Sequence, residues 1–190
     1  MNEIEKKLYD EIDDKSLQIR IDYNIYEKKI DLFKLCDFLN ITLIKYGDLS
    51  ETQLLAINDK YNLNDGLSLI FYSKGKINNY LFYNESKPES RLRFTICHEI
   101  YHILNDNVIS ESLDEILADH FSRNLLIPKC LLIHEKYDDV YKVVKDFGVS
   151  YDAANYALDS ALKWYNSKRY HITKVEEEFL KMYDELKIKK

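Results

Sequence analysis

The pentapeptide His98-Glu-Ile-Tyr-His102 constrains the fold of this 190-residue chain more than any other feature. Two histidines four residues apart on an α-helix lie within about 40° of each other, so both imidazoles can reach one metal ion. Glu99 then lies at the edge of that face, where its carboxylate can touch a metal-bound water without ligating the metal. Two ligands and a general base on one rigid helix are an arrangement that suits a zinc hydrolase. The alternative is a pair of surface histidines beside a solvated glutamate.

The residues around the pentapeptide favour a buried helix. Its apolar positions are Phe94, Ile96, Cys97, Ile100, Tyr101, Ile103 and Leu104. A helix with apolar residues on most of its circumference is a buried helix. Its remaining polar stripe, with His98, His102 and Asn105, must therefore meet a partner, and the most economical partner is a metal ion.

Composition predicts one soluble globular domain, because the chain is 46% hydrophobic with a net charge of −6. The mild acidic excess argues against direct nucleic-acid binding. Cys36, Cys97 and Cys130 are few and widely spaced, as expected of reduced thiols and not of a disulfide framework. No segment approaches the roughly 18 apolar residues that span a bilayer, and the acidic N-terminus lacks a signal-peptide pattern. We therefore expect a cytoplasmic protein without membrane contact.

The pattern of elements predicts an α+β fold that is mainly helical, with a small antiparallel sheet and C-terminal helices. Strands are predicted at Ile41–Tyr46 and in a β-hairpin of Leu67–Tyr72 and Asn79–Tyr83, whose turn contains Gly75. A short extended segment is predicted over 17–23. Periodicity and capping residues predict helices at 1–14, 31–39, 50–60, after Pro88, 110–127, 139–147 and 151–165.

The domain organisation follows from these elements. We expect a single domain over residues 1–165, with its core at 41–130 and a helical pair at 139–165. Residues 166–190 are predicted to form a C-terminal helical extension, which the capping box of Thr173 and Glu176 opens.

A catalytic zinc site takes three protein ligands and a water, so a third ligand is required. Glu115 follows His102 after twelve residues, enough to end one helix and begin the next. Asp119 lies one turn further on the same face, where it can accept the free ring N–H of a ligating histidine. Alternatively, Glu115 is the capping-box partner of Ser112, and Asp119 is a solvated helix position.

Other polar residues are weaker candidates. Tyr101, His120 and Tyr151 are candidate hydrogen-bond donors to the substrate or to an oxyanion, although His120 also fits a partly buried helix position. His134 and His171 are isolated, and we interpret both as surface or structural residues.

Longer motifs resemble the ImmA/IrrE metallopeptidase family. They are Arg93-Phe-Thr before His-Glu-x-x-His, then Glu115-Ile-Leu-Ala-Asp119-His-Phe121 and Leu125-Leu-Ile-Pro128, with further matches at Asn84 and in Phe147–Ala153. The resemblance covers residues 60–165. It implies a zincin-like fold, one zinc ion bound by His98, His102 and Glu115, and Glu99 as the catalytic base.

The chain departs from the family pattern at three positions. Tyr101 replaces the usual glycine, Asp106 stands where a further histidine is common, and Ser122 replaces alanine. None of these positions is a proposed ligand, so the departures concern the shape of the substrate groove more than metal binding.

The resemblance implies an intracellular zinc-dependent endopeptidase. Similar proteins cleave helix-turn-helix transcriptional repressors, so the expected partner is such a repressor, and its cleavage would switch on mobile-element or stress genes. An alternative is a non-proteolytic metal-binding regulator that acts by protein or DNA binding, since the segment around Gly148 has a helix-turn-helix pattern. A structural zinc is a third possibility, but such sites usually have four ligands rich in Cys, and Cys97 points about 100° away from His98.

Overall fold

A three-stranded sheet packs against helices in the computed structural model, which describes residues 3–61, 64–73, 75–105, 111–167 and 171–188. The strands are β1 (Ile41–Lys45), β2 (Gly66–Ser73) and β3 (Lys76–Tyr83), in the order β1-β3-β2. β2 and β3 are antiparallel, which confirms the hairpin, and Gly75 adopts a φ of 75° in its turn. β1 pairs with β3 in parallel, so the sheet is mixed and not purely antiparallel.

The described helices give the mainly helical α+β fold that the sequence predicts. They are α1 (Glu3–Asp22), α2 (Leu32–Phe38), α3 (Glu51–Tyr61), α4 (Glu89–Leu104), α5 (Glu111–Leu126), α6 (Lys129–His134), α7 (Val140–Phe147), α8 (Tyr151–Tyr165) and α9 (Lys174–Ile188). None of these helices is both long and apolar enough to cross a membrane. The predicted cap Ser110 lies outside the described residues, as does the position of Asp106.

Capping residues begin several helices as predicted. The Asp31 carboxylate accepts a hydrogen bond from the Lys34 backbone N–H at 3.1 Å, at the start of α2. Thr173 and Glu176 form the predicted capping box before α9, with backbone-to-side-chain distances of 2.9 and 3.2 Å. These interactions satisfy N–H groups that have no partner within the first helical turn.

The extended segment predicted over 17–23 is wrong, because α1 continues to Asp22. α1 packs against both α5 and α9, so residues on more than one of its faces are buried. Leu17 and Ile19 are therefore both buried, and the fully buried Arg20 donates from Nε to the Leu125 carbonyl at 2.9 Å. Burial on two sides gives a helix the alternating pattern that is typical of a strand.

α4 is buried as its apolar stripe predicts, and it packs against α5, β2 and β3. Ile96, Cys97 and Ile100 have no exposed surface, and neither do Ala118 and Phe121 on the facing helix α5. This packing fixes α4 against α5, and the polar stripe of α4 then faces the N-terminal half of α5.

Candidate metal centre

Three side chains from α4 and α5 converge on one point. The Nε2 atoms of His98 and His102 lie 3.1 Å apart. Glu115 places Oε2 at 3.1 Å from the His98 Nε2 and Oε1 at 3.3 Å from the His102 Nε2. The histidine side chains are 17% and 22% exposed, and the Glu115 side chain is 56% exposed, so the point of convergence is accessible from solvent.

The other ring nitrogen of each histidine faces a carboxylate. His98 Nδ1 lies 3.1 Å from Asp119 Oδ1, and His102 Nδ1 lies 3.0 Å from Asp114 Oδ2. An ionised carboxylate only accepts hydrogen bonds, so each Nδ1 has a partner that can accept its ring proton. In a neutral imidazole the proton at Nδ1 leaves a lone pair at Nε2. The two lone pairs therefore point at the space beside Glu115.

This donor set fits a metal ion. Bonds of 2.0–2.1 Å from a tetrahedral zinc place neighbouring ligand atoms about 3.3 Å apart. The two Nε2 atoms, 3.1 Å apart, are close to that edge length, and one ligand atom from each of the three residues lies within 4.8 Å of the other two. Two imidazoles and a carboxylate are suitable ligands for zinc, and the two Nδ1 carboxylates orient the rings as second-shell partners do in metal sites.

Glu99 lines the same cleft, which has a volume of about 890 Å³ and a wall formed by the start of β2. A Cβ at Gly66 would lie 2.4 Å from Thr95 Cγ2 and 3.2 Å from Glu99 Cγ, so only glycine lets β2 approach α4 this closely. Glu99 also lies near Tyr46 of the sheet side, since burial first, and then the charges of Glu99 and Asp65, raise the pKa of the Tyr46 hydroxyl to about 12. Glu99 is therefore held on a wall of the cleft between α4 and the sheet.

Asp114 is the site residue that the sequence analysis missed. It is 5% exposed and joins two partners, since the Tyr101 hydroxyl donates to Oδ1 at 3.2 Å while Oδ2 faces His102. The sequence feature that points to Asp114 is Tyr101, because the hydroxyl of a buried tyrosine usually has a hydrogen-bond partner. An acidic residue on the next helix could have been inferred from this requirement.

The positions of Tyr101 and His120 do not agree with the prediction that they contact substrate. Tyr101 is 3% exposed, and burial, with the nearby charge of Asp114, raises its pKa. His120 turns towards α1, where its Nε2 lies 2.6 Å from Asp13 Oδ1. Neither residue lines the cleft, because each side chain is held by a carboxylate elsewhere.

The remaining candidates lie away from the metal centre. Tyr151 is exposed and packs on Tyr141 with ring centroids 5.4 Å apart. His134 contacts Asp184 on α9 at 2.9 Å, in agreement with a structural role. Ser112 lies within α5 and does not precede it, which disfavours the capping-box alternative for Glu115.

The fold and the site together define a class of protein, the metallopeptidases that carry His-Glu-x-x-His on a buried helix and take a carboxylate ligand from the next helix. Residues 51–159, more than half of the chain, match the Peptidase_M78 family, described as the IrrE N-terminal-like domain. The chain belongs to this family of zinc metallopeptidases, which confirms the resemblance seen in the motifs. The chain matches no curated protein and no solved structure.

Proposed function

We propose that this protein is a zinc-dependent endopeptidase with Glu99 as its general base. One observation carries the proposal. The Nε2 atoms of His98 and His102 and the Glu115 carboxylate converge so that one ion can contact all three residues, while Asp119 and Asp114 face the other nitrogen of each imidazole ring. The family supports the same reaction class.

His98, His102 and Glu115 would hold the zinc ion, which supplies Lewis-acid chemistry for the hydrolysis of a peptide carbonyl when bound. Glu99 takes a proton from the attacking water and transfers it to the amine that leaves. Glu99 is suited to this because it shares the α4 face with the ligands but does not belong to the converging group.

The edge strand β2 gives a way to orient the substrate. It pairs only with β3 in the described sheet, and Gly66, Leu67 and Ser68 line the cleft. An extended peptide can add to such an edge as a further strand through main-chain hydrogen bonds. The added strand would lie beside α4 next to Glu99, so binding and chemistry use the same cleft.

The substrate that we propose is a helix-turn-helix transcriptional repressor, whose cleavage would switch on mobile-element or stress genes. The motif resemblance to ImmA/IrrE proteins supports this part of the proposal. The side chains of the cleft support the reaction class.

The test is a Glu99→Gln variant, with Glu178→Gln on the exposed face of α9 as the matched control. We expect Glu99→Gln to keep stoichiometric zinc and to cleave the repressor about 10²- to 10⁴-fold more slowly, because the general base is lost. Glu178→Gln should cleave at the wild-type rate. Equal cleavage by Glu99→Gln and wild type would overturn the mechanism.

The alternative of a DNA-binding regulator receives less support. α7 and α8 do form a helix pair joined at Gly148, which has a φ of 66°. However, the exposed residues over the first half of α8 are Tyr151, Asp152, Asn155, Tyr156 and Asp159. Phosphate contacts need Lys and Arg, which this surface lacks. A shift of promoter DNA by the protein alone in an electrophoretic assay would favour the alternative.

A further inference from the structure

A second, apolar cavity adjoins the metal cleft. It has a volume of about 250 Å³ and lies between the N-terminal half of α4, the C-terminal end of α5 and the start of α8. Its apolar lining consists of Phe94, Leu126, Ile127, Val149 and Ala153. Ligand sites for drug-sized molecules usually measure about 300–1,000 Å³, so this cavity is of a size for a smaller group. A single large side chain is such a group.

The cavity and the metal cleft are neighbours that share part of their lining. Arg91, Phe94 and Arg123 line both of them, and the Phe94 ring centroid lies 6.2 Å from that of His98. Phe94 precedes His98 by four residues, which is about 6 Å along the axis of α4. An extended peptide advances about 3.3–3.6 Å per residue. A side chain in the cavity therefore belongs to a residue one or two positions from the peptide bond at the metal centre.

The charged groups at the cavity are both arginines. Arg91 Nε lies 2.6 Å from Asp65, and Arg123 Nη2 lies 3.1 Å from Asp119, with the two side chains 57% and 41% exposed. A guanidinium has five N–H donors, so one ion pair leaves donors for a second carboxylate. Asp65 also pairs with Lys87 at 2.8 Å, so Arg91 shares this carboxylate with a second cation.

We infer that this cavity is a specificity subsite, which binds an apolar side chain of the substrate one or two residues from the cleaved bond, next to an acidic residue that Arg91 and Arg123 bind. The inference rests on the proposed endopeptidase function. The cavity walls select the apolar side chain by burial, and the two guanidinium groups select its acidic neighbour by charge.

The test uses zinc-loaded protein and peptide hydroxamates, which chelate zinc, with either leucine or glycine at both of the first two residues. Binding is measured by calorimetry. We expect the leucine compound to bind wild type at least about tenfold more tightly than the glycine compound, because a buried leucine side chain contributes that much or more. Ala153→Met fills the cavity and should reduce this preference to less than about threefold. Asn155→Met, on the exposed face of α8, should keep it.

Binding of the glycine compound shows whether the cleft of each variant is intact. Ala153→Val should also reduce the preference for the leucine compound, by less than Ala153→Met does. Wild type without a leucine preference, or Ala153→Met with the full preference, would overturn the inference. Hydroxamate binding needs zinc but not Glu99, so the same titrations in Glu99→Gln protein separate a failure of the subsite from a failure of the proposed catalysis.

The acidic preference is tested with compounds that carry glutamate or lysine after the two leucines. Wild type should bind the glutamate compound several-fold more tightly, and the difference should fall at high salt, since both charges are near solvent. Arg91→Gln should weaken this preference. Lys163→Gln, which removes an exposed charge further along α8, should leave it unchanged. Equal binding of the two compounds by wild type would overturn the acidic part of the inference.

Discussion

Side chains of α5 take part in two clusters of histidine and carboxylate groups, the metal centre and a second cluster where α5 meets α1. The two clusters differ in whether a lysine side chain pairs with the carboxylate. At the second cluster, Asp13 of α1 accepts hydrogen bonds from His120 and from the Lys129 ammonium, both at 2.6 Å. The ring of His120 also packs edge-on against Tyr9, with centroids 4.6 Å apart. The carboxylate, the imidazole and the ammonium thus neutralise and satisfy each other, and they hold α1 against α5.

The metal centre has the same kinds of side chain without the ammonium. Within the described residues, the ion pairs of Glu115 are with His98 and His102 alone, and no Lys or Arg nitrogen reaches it. The two Nε2 atoms and the Glu115 carboxylate are therefore available to a cation from outside the chain. In this molecule, the cluster whose carboxylate pairs with a lysine joins two helices, whereas the cluster whose Glu115 pairs with histidines alone among the described residues is the candidate metal centre.

The largest expected effect comes from exchanging one histidine in each cluster for alanine. His98→Ala should lower zinc affinity by more than about 100-fold, since even the loss of a second-shell partner costs 10- to 100-fold. His120→Ala should change it by less than about threefold. Competition with a chromophoric chelator measures both affinities. A similar loss in the two variants would remove the distinction between the clusters.

Asp114→Asn should lower zinc affinity by about 10- to 100-fold, because an amide no longer holds the His102 ring as a charged acceptor does. Asp184→Asn is the matched control, since Asp184 contacts a histidine far from the metal centre. If Asp114→Asn binds zinc as wild type does, the carboxylate at Nδ1 has no role in holding the metal.

Asp13→Asn should affect stability and not zinc affinity. Burial alone would raise the pKa of Asp13, but the hydrogen bond from His120 and the charge of Lys129 lower it below its ordinary value of 3.8. A lowered folded-state pKa stabilises the protein above the unfolded-state pKa, and that stability is lost as pH falls through the folded-state value.

At pH 7, Asp13→Asn should therefore decrease the free energy of unfolding by about 2 kcal/mol, the contribution of hydrogen bonds to charged groups. Urea titrations from pH 7 to below pH 4 check this. The variant should lose less stability than wild type over the acid part of that range. Parallel pH curves would show that Asp13 does not carry the effect.

Tyr101→Phe should give the smallest effect, because it removes a group that acts on the metal only through Asp114 and His102. We expect zinc affinity to fall by less than about fivefold and the free energy of unfolding to decrease by about 1 kcal/mol. A loss as large as that of Asp114→Asn would mean that the hydroxyl contributes as much to orienting His102 as the carboxylate.

Local signals in the sequence predicted most elements of the fold. The capping side chains of Asp31 and Thr173 accept hydrogen bonds from backbone N–H groups three residues further along the chain, and the predicted helices begin there. The end of α1 and the short helix α6 were missed. Burial of the second face of α1 depends on α5 and α9, which lie far along the chain. The parallel pairing of β1 likewise depends on where the chain returns after α3.

The candidate site divides in the same way. The sequence by itself determined that His98, Glu99 and His102 share one side of a buried helix, because the helical period and the apolar stripe are local properties. Only the tertiary structure decided which carboxylate meets which ring nitrogen. The packing of α4 on α5 places Asp114 and Asp119 at the two Nδ1 atoms and Glu115 between the two Nε2 atoms, and α1 turns His120 away from the cleft. Such contacts depend on how separate helices pack, and residue spacing along one helix does not encode that packing.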